Sequence, residues 1–255
     1  MAPAAAATDP AAWTRSQPET PMCGRINLIS APHVLAERFY LDVVPELIPR
    51  YNISPSQDIA AVVPNPDSAG RLLRSFRWGL VPPWSKGPTT GPKLINARSE
   101  TVREKPAFSE AFARRRCLVP VNGFYEWQKR DGGRWPFLFR RRDHDVFALA
   151  GIWERWEYPG QQVLETCSIL TTPANATMRP IHHRMPVIVP EADWRLWFAL
   201  EDDRQPAVLD LLKPAPADLL VAHPVSQRVN SPRFDEPACI EPVEDDRTGQ
   251  LNLFG

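Results

Sequence analysis

Apolar residues along this chain gather in short runs, most of them rich in β-branched and aromatic side chains. Residues 59–63, 74–81, 117–127, 137–141, 147–153, 167–172 and 186–189 each read as a strand bounded by turn-forming residues. Residues 51–55, after the proline-bounded stretch 44–49, read as an extended segment ending in a turn. Helical spacing is scarcer. Residues 32–40 predict a short helix with Ser30 as its cap and Pro32 just inside the start. Residues 106–116 predict another, with Ala107, Phe108, Ala111 and Phe112 on one face and Arg114-Arg115-Arg116 at the C-terminal end, where cations suit the helix dipole. Residues 191–200, carrying Trp194, Trp197 and Phe198, and residues 206–212 complete the helices. Residues 82–92 are too dense in Pro and Gly for regular structure, so Trp84 sits in a loop with little core to join. Many short strands and few helices predict an α+β fold: a single domain on a curved, barrel-like, mainly antiparallel sheet with peripheral helices.

At 255 residues, 43% of them hydrophobic and 24% charged, the chain has the length and composition of a soluble domain with a sizeable core. No apolar run approaches the ~18 residues of a membrane span, so no membrane partner is expected. Residues 1–21, rich in Ala, Pro, Thr and Ser, lack the apolar core and basic flank of a secretory signal. They read as a disordered leader or a misassigned start. Residues 22–240 form the expected folded domain, and residues 241–255 an acidic, disordered tail that finishes on Leu251-Asn252-Leu253-Phe254. Cys23, Cys117, Cys167 and Cys239 lie far apart, without a C-x-x-C pair or a histidine at ligand spacing. Zinc and a disulfide framework are thereby disfavoured, which fits a reducing, cytoplasmic setting.

Thirty basic residues balance thirty acidic ones, but the balance is uneven along the chain. Between Arg71 and Arg142 there are 17 basic and 5 acidic residues, a net of +12, offset by −12 elsewhere. Phe76, Trp78, Trp84, Phe108, Phe124, Tyr125, Trp127 and Trp135 are interleaved with those cations. Cations for phosphates and rings for bases are what a single-stranded nucleic-acid surface needs. A set of solvated helix and strand ends would look the same in composition.

The chemistry begins at Met22-Cys23-Gly24-Arg25. If Met22 starts the chain and is removed, Cys23 carries a free amine and a thiol, with ordinary pKa values near ~7.7–8.0 and ~8.5. Together they can capture an aldehyde as an imine and close a thiazolidine ring. The plainer alternative is an ordinary cysteine at the edge of a first strand. Glu126, among Phe124, Tyr125 and Trp127 on a half-buried strand, is placed for a raised pKa and proton transfer; an outward-facing edge glutamate is the alternative. His182, with His183 beside it, could orient or protonate an oxygen, although a lone histidine is more often structural. Asn96 could hold an aldehyde oxygen or the Cys23 backbone, or could cap a turn. Arg25 and Arg98 would supply bidentate phosphate contacts. Asn52 and Pro55 look like pocket lining, and Trp84 like a stacking or wedging ring.

Taken in order, Cys23-Gly24-Arg25, residues 50–55 (RYNISP), 78–82 (WGLVP), 94–101 (LINARSET), 123–127 (GFYEW), 180–186 (PIHHRMP) and 223–226 (HPVS) resemble the SOS-response-associated peptidase family, whose members process abasic sites by crosslinking to single-stranded DNA. The resemblance runs from Met22 to about Ser231. It implies Glu126 as general acid/base, His182 rather than His183 as the functional histidine, no metal or organic cofactor, and a peptidase step that exposes Cys23. The implied partner is single-stranded DNA with abasic sites near single-strand/double-strand junctions, met by a monomer that is cytoplasmic and nucleoid-associated when engaged. Abasic-site lyase chemistry follows if the thiol fails to close the ring. Two other readings remain open: a cysteine hydrolase using Cys23, His182 and Asn96, and a non-catalytic single-strand-binding module.

Overall fold

Valine, isoleucine and aromatic side chains pack well on a pleated surface, and here they line two sheets. The computed structural model describes residues 24–88, 94–131, 133–157, 163–201 and 204–244. In chain order the elements are β1 (Ile26–Leu28), α1 (Pro32–Phe39), β2 (Arg50–Ile53), β3 (Asp58–Pro64), β4 (Arg71–Trp78), β5 (Asn96–Arg98), α2 (Pro106–Arg114), β6 (Arg116–Val121), β7 (Gly123–Arg130), β8 (Gly133–Arg141), β9 (Phe147–Trp156), β10 (Leu164–Pro173), β11 (Arg184–Pro186), α3 (Trp194–Phe198), α4 (Gln205–Asp210) and β12 (Leu220–Pro224). The fold is α+β and mainly antiparallel, as expected. The leader, Met22, Cys23 and residues 245–255 lie outside the described residues. No helix among those described is long and apolar enough to cross a membrane.

One sheet has the order β12-β8-β7-β1-β2, all antiparallel. The other runs β11-β10-β4-β3-β6-β9, with β5 beside β10 and with β9 pairing back onto β10. That second sheet therefore curves until its pairings return on themselves, but β3 meets β6 at one residue pair and β4 meets β10 at two, so it is a curved sheet rather than a true barrel. The main core fills the curve with Val62, Phe76, Leu118, Ile152 and Ile169 and extends under α1 and α3, where Phe39 stacks on Trp194. A smaller cluster of Tyr125, Leu138, Val225, Val229, Phe234 and Cys239 sits on the far side of the first sheet.

Several expectations are corrected in detail. Residues 117–127 form two strands, not one. Asn122 breaks the run by turning its side-chain oxygen onto the N–H groups of Ile29 and Ser30, and the chain crosses from the second sheet to the first. Gly123 starts β7 because a Cβ there would lie 2.7 Å from Phe139 O. Ser30 is held by Asn122, and the helix cap is Ala31 without a side-chain bond. Arg116 does not end α2 in solvent: it is buried in β6 and donates to Phe112 O, Trp197 O and Ala199 O, tying together the C-terminal ends of α2 and α3. Burial lowers its pKa to about 10, so it stays charged at neutral pH. Residues 191–200 divide into a 3-10 turn and the short α3. β5 and β12 were not anticipated.

Candidate active site

The site grows from β7, which lies between β1 and β8. Successive strand residues face opposite ways, so Glu126 and Gln128 share one face and Tyr125 and Trp127 the other. Glu126 is 1% exposed, buried more deeply than a half-buried strand implies. Its facing neighbour Gln128 donates from Nε2 to Pro180 O at 3.1 Å, drawing the loop that carries His182 toward the Glu126 face. On the β1 side, Tyr125 N donates to Arg25 O. The registers Ile26↔Phe124 and Ile26↔Ile53, continued by two residues, set Gly24 level with Glu126 and with the turn at Pro55. Gly24 is the covalent neighbour of Cys23, and a Cβ built on it would meet nothing within 4 Å.

His182 Nδ1 accepts from Arg184 N at 3.1 Å, which leaves the ring proton on Nε2. Burial first, and then the stacked His183 ring, lower its pKa, so the ring is neutral at pH 7 and Nε2–H is a hydrogen-bond donor. The 94–101 segment approaches from the second sheet, where Asn96 and Arg98 pair with Ile169 and Thr171 of β10. Asn96 thus lies on a strand, not at a helix-capping turn, and Arg98 is exposed at its end. Glu100 fastens this segment to the histidine loop by a bidentate pair with Arg184, at 2.6 and 2.8 Å. That pair lowers the Glu100 pKa to about 2 from 4.5. Its stabilisation is therefore complete above about pH 4.5 and disappears as pH falls toward 2. Thermal unfolding should show Glu100→Gln less stable than the parent at pH 7, with the difference vanishing near pH 2.

The opposite face of β7 is closed by polar clamps. Arg25 is buried, its Nη1 donating to Asn52 Oδ1 at 2.8 Å and to Val229 O at 2.7 Å, with the guanidinium over the Trp127 ring. Asn52 Nδ2 donates to Val229 O, Ser231 O and Phe234 O. These two residues are read from sequence as a phosphate contact and a pocket wall; in the fold they form one unit that holds residues 229–234 under the site. Asn52→Ala should cost about 2 kcal/mol in urea unfolding, because the amide's two protons are lost to carbonyls that each keep another donor, while the buried Arg25 guanidinium loses an acceptor.

Trp84 is exposed, but its loop lies by the β9–β10 hairpin, where Trp156 Nε1 donates to Ser85 O, away from the His182 end of β10. Gln128, Glu100 and Arg184, of which the last two stand in the quoted motifs, shape the site only through partners distant in sequence. Trp127, one of the rings interleaved with the basic segment, donates from Nε1 to Asn230 Oδ1 at 2.6 Å and has Arg134 near its ring.

The chain belongs to the SOS response associated peptidase (SRAP) family, whose model matches residues 22–232. The abasic site processing protein YoqW of Bacillus subtilis (strain 168) is 39% identical over 224 residues, covering 86% of this chain and 99% of that protein. The abasic site processing protein YoaM of the same strain is 39% identical over 216 residues, covering 83% and 94%. A crystal structure of a protein from Bacteroides thetaiotaomicron superposes with a TM-score of 0.75 at 25% identity, covering 87% of this chain and all of that one.

Proposed function

We propose that this chain captures abasic sites in single-stranded DNA as a covalent thiazolidine through Cys23. The observation that carries the reading is the deeply buried Glu126 carboxylate, brought level with Gly24 by the β1–β7 register. The names of the relatives supply the substrate class. The free α-amine of Cys23 adds to the C1′ aldehyde of the opened sugar, and the carbinolamine loses water to give an imine. The Cys23 sulfur then adds to the imine carbon while the nitrogen takes up a proton, so one water is released overall. Glu126 protonates the departing hydroxyl and returns the proton balance afterwards. The Nε2–H of neutral His182 donates to the sugar oxygen, and Asn96 fixes the aldehyde. No metal ion or organic cofactor enters these steps.

The exposed cation Arg98 supplies a phosphate contact, and Trp135, which register puts on the Glu126 face of the β7–β8 hairpin with Arg130 over its ring, supplies a stacking ring. Loss of the C2′ proton from an imine that does not close expels the 3′ phosphate, which is the lyase branch. Hydrolysis of the peptide bond before Cys23 is the self-processing branch, because only then is the amine free.

The test is a denaturing gel of single strands bearing an abasic site, an intact base or a borohydride-reduced sugar. A shifted band is expected with the first substrate alone. Equal bands on the aldehyde and reduced sugars would rule out aldehyde capture.

A further inference from the structure

On β7, Glu126, Gln128 and Arg130 lie on one face of the sheet, and the β8 residues opposite them, Phe137, Trp135 and Gly133, share it. Gly133 puts no side chain opposite Arg130, which leaves the guanidinium room to fold back along the strand over the Trp135 and Phe137 rings, 5.2 and 5.3 Å from their centroids. There its Nε donates to Gln128 Oε1 at 2.6 Å. The other end of the same amide donates from Nε2 to Pro180 O at 3.1 Å, two residues before His182. We infer that Gln128 is a positioning residue: its amide, oriented by Arg130, holds the 180–183 loop so that His182 Nε2–H meets the sugar oxygen during aldehyde capture.

The place between Arg130 and Pro180 suits an amide and few other groups. A guanidinium only donates and a carbonyl only accepts, so the side chain between them must accept at one atom and donate at the next. A carboxylate would accept from Arg130 but set its negative charge against the Pro180 carbonyl. An ammonium would donate to Pro180 O but repel Arg130. The same two partners decide which end of the amide is oxygen, so the bond to the loop runs one way only. Beyond Pro180 the loop has little slack. Ile181 N and His182 N both donate to Met178 O, Ala174 N donates to His183 O, and Arg184 N donates to His182 Nδ1. The histidine is thus pinned on both sides, by Gln128 before it and by Glu100 through Arg184 after it. Releasing one pin lets the imidazole swing about the other, and a misplacement of about 1 Å can slow a reaction by about 10²-fold.

The effect of Gln128 on rate rests on the proposed aldehyde capture, so the experiment has one arm without DNA. Protein beginning at Cys23 is prepared as the parent and as Gln128→Met, Gln128→Glu and Gln128→Lys. In the first arm the His182 ring is titrated by NMR. Burial, aided by the neighbouring charges of His183, Arg134 and Arg184, holds its pKa below the ordinary value. A released loop admits water to the ring, so in Gln128→Met the midpoint should rise toward the ordinary ~6.5. In the second arm, single-turnover adduct formation on an abasic single strand should have its limiting rate lowered by about tenfold to a hundredfold in all three variants. The half-saturating DNA concentration of Gln128→Met should stay within about twofold of the parent's, because no charge is lost. A merely structural glutamine would lower the melting temperature and leave both the His182 midpoint and the limiting rate where they were. An unchanged midpoint in Gln128→Met, or a limiting rate equal to the parent's in any of the three variants, would overturn the positioning role. A parent that forms no adduct removes the aldehyde reading instead, and the midpoint alone then decides whether Gln128 places the ring.

Discussion

Protein that begins at Cys23 is expected to leave a denaturant-resistant adduct on abasic single-stranded DNA, while Cys23→Ala leaves none. The same chain still carrying residues 1–22 should be equally inert. A peptide-bonded Cys23 has an amide nitrogen whose lone pair is delocalised into the carbonyl, so it cannot form an imine. The alanine variant with a free terminus keeps an amine and loses the ring-closing sulfur, so transient imine formation and some strand cleavage should persist. Intact mass of each preparation, read beside a denaturing gel, checks the result. A crosslinking protein with residues still attached before Cys23 would sink the thiazolidine mechanism and favour the cysteine-hydrolase alternative.

The second large effect is expected at Glu126. Glutamine preserves its shape but cannot exchange a proton, so Glu126→Gln should slow adduct formation by about 10²–10⁴-fold. Affinity for an intact single strand should hardly change, because the carboxylate is buried away from phosphates. Rapid-quench kinetics and fluorescence anisotropy on the same preparation separate the two quantities. Wild-type rates for both formation and reversal would move the proton-transfer role to another group.

Local pattern carried the strands and helices as far as local forces decide them. β3 and β9 follow from β-branched runs, and α1 follows from Pro32 and the apolar pair Leu35 and Phe39. The break at Asn122 was hidden because it depends on Ile29 and Ser30, more than ninety residues earlier, whose N–H groups need an acceptor. Arg116 looked like a solvated helix end because the carbonyls it satisfies, Trp197 O and Ala199 O, come from α3. In the candidate site, Glu126 and His182 stand in short motifs, and Gln128 and Glu100 acquire meaning only when Pro180 and Arg184 arrive beside them. Arg25 and Asn52 show the limit most clearly, since a cation and an amide near the start of a chain read as ligands for something outside the protein. Their partners lie within it.

That clamp also sets a clock on the protein's manufacture. The bond from Arg25 to Val229 joins residues 204 apart. At about 5–20 residues per second, a ribosome needs roughly 10–40 s to supply Val229 after Arg25 has been made. Throughout that interval Arg25 has no carbonyl at residue 229 to close upon. Under the proposed mechanism, a Cys23 amine freed during synthesis would therefore wait for the last segments of the fold before it met Glu126 in its finished setting.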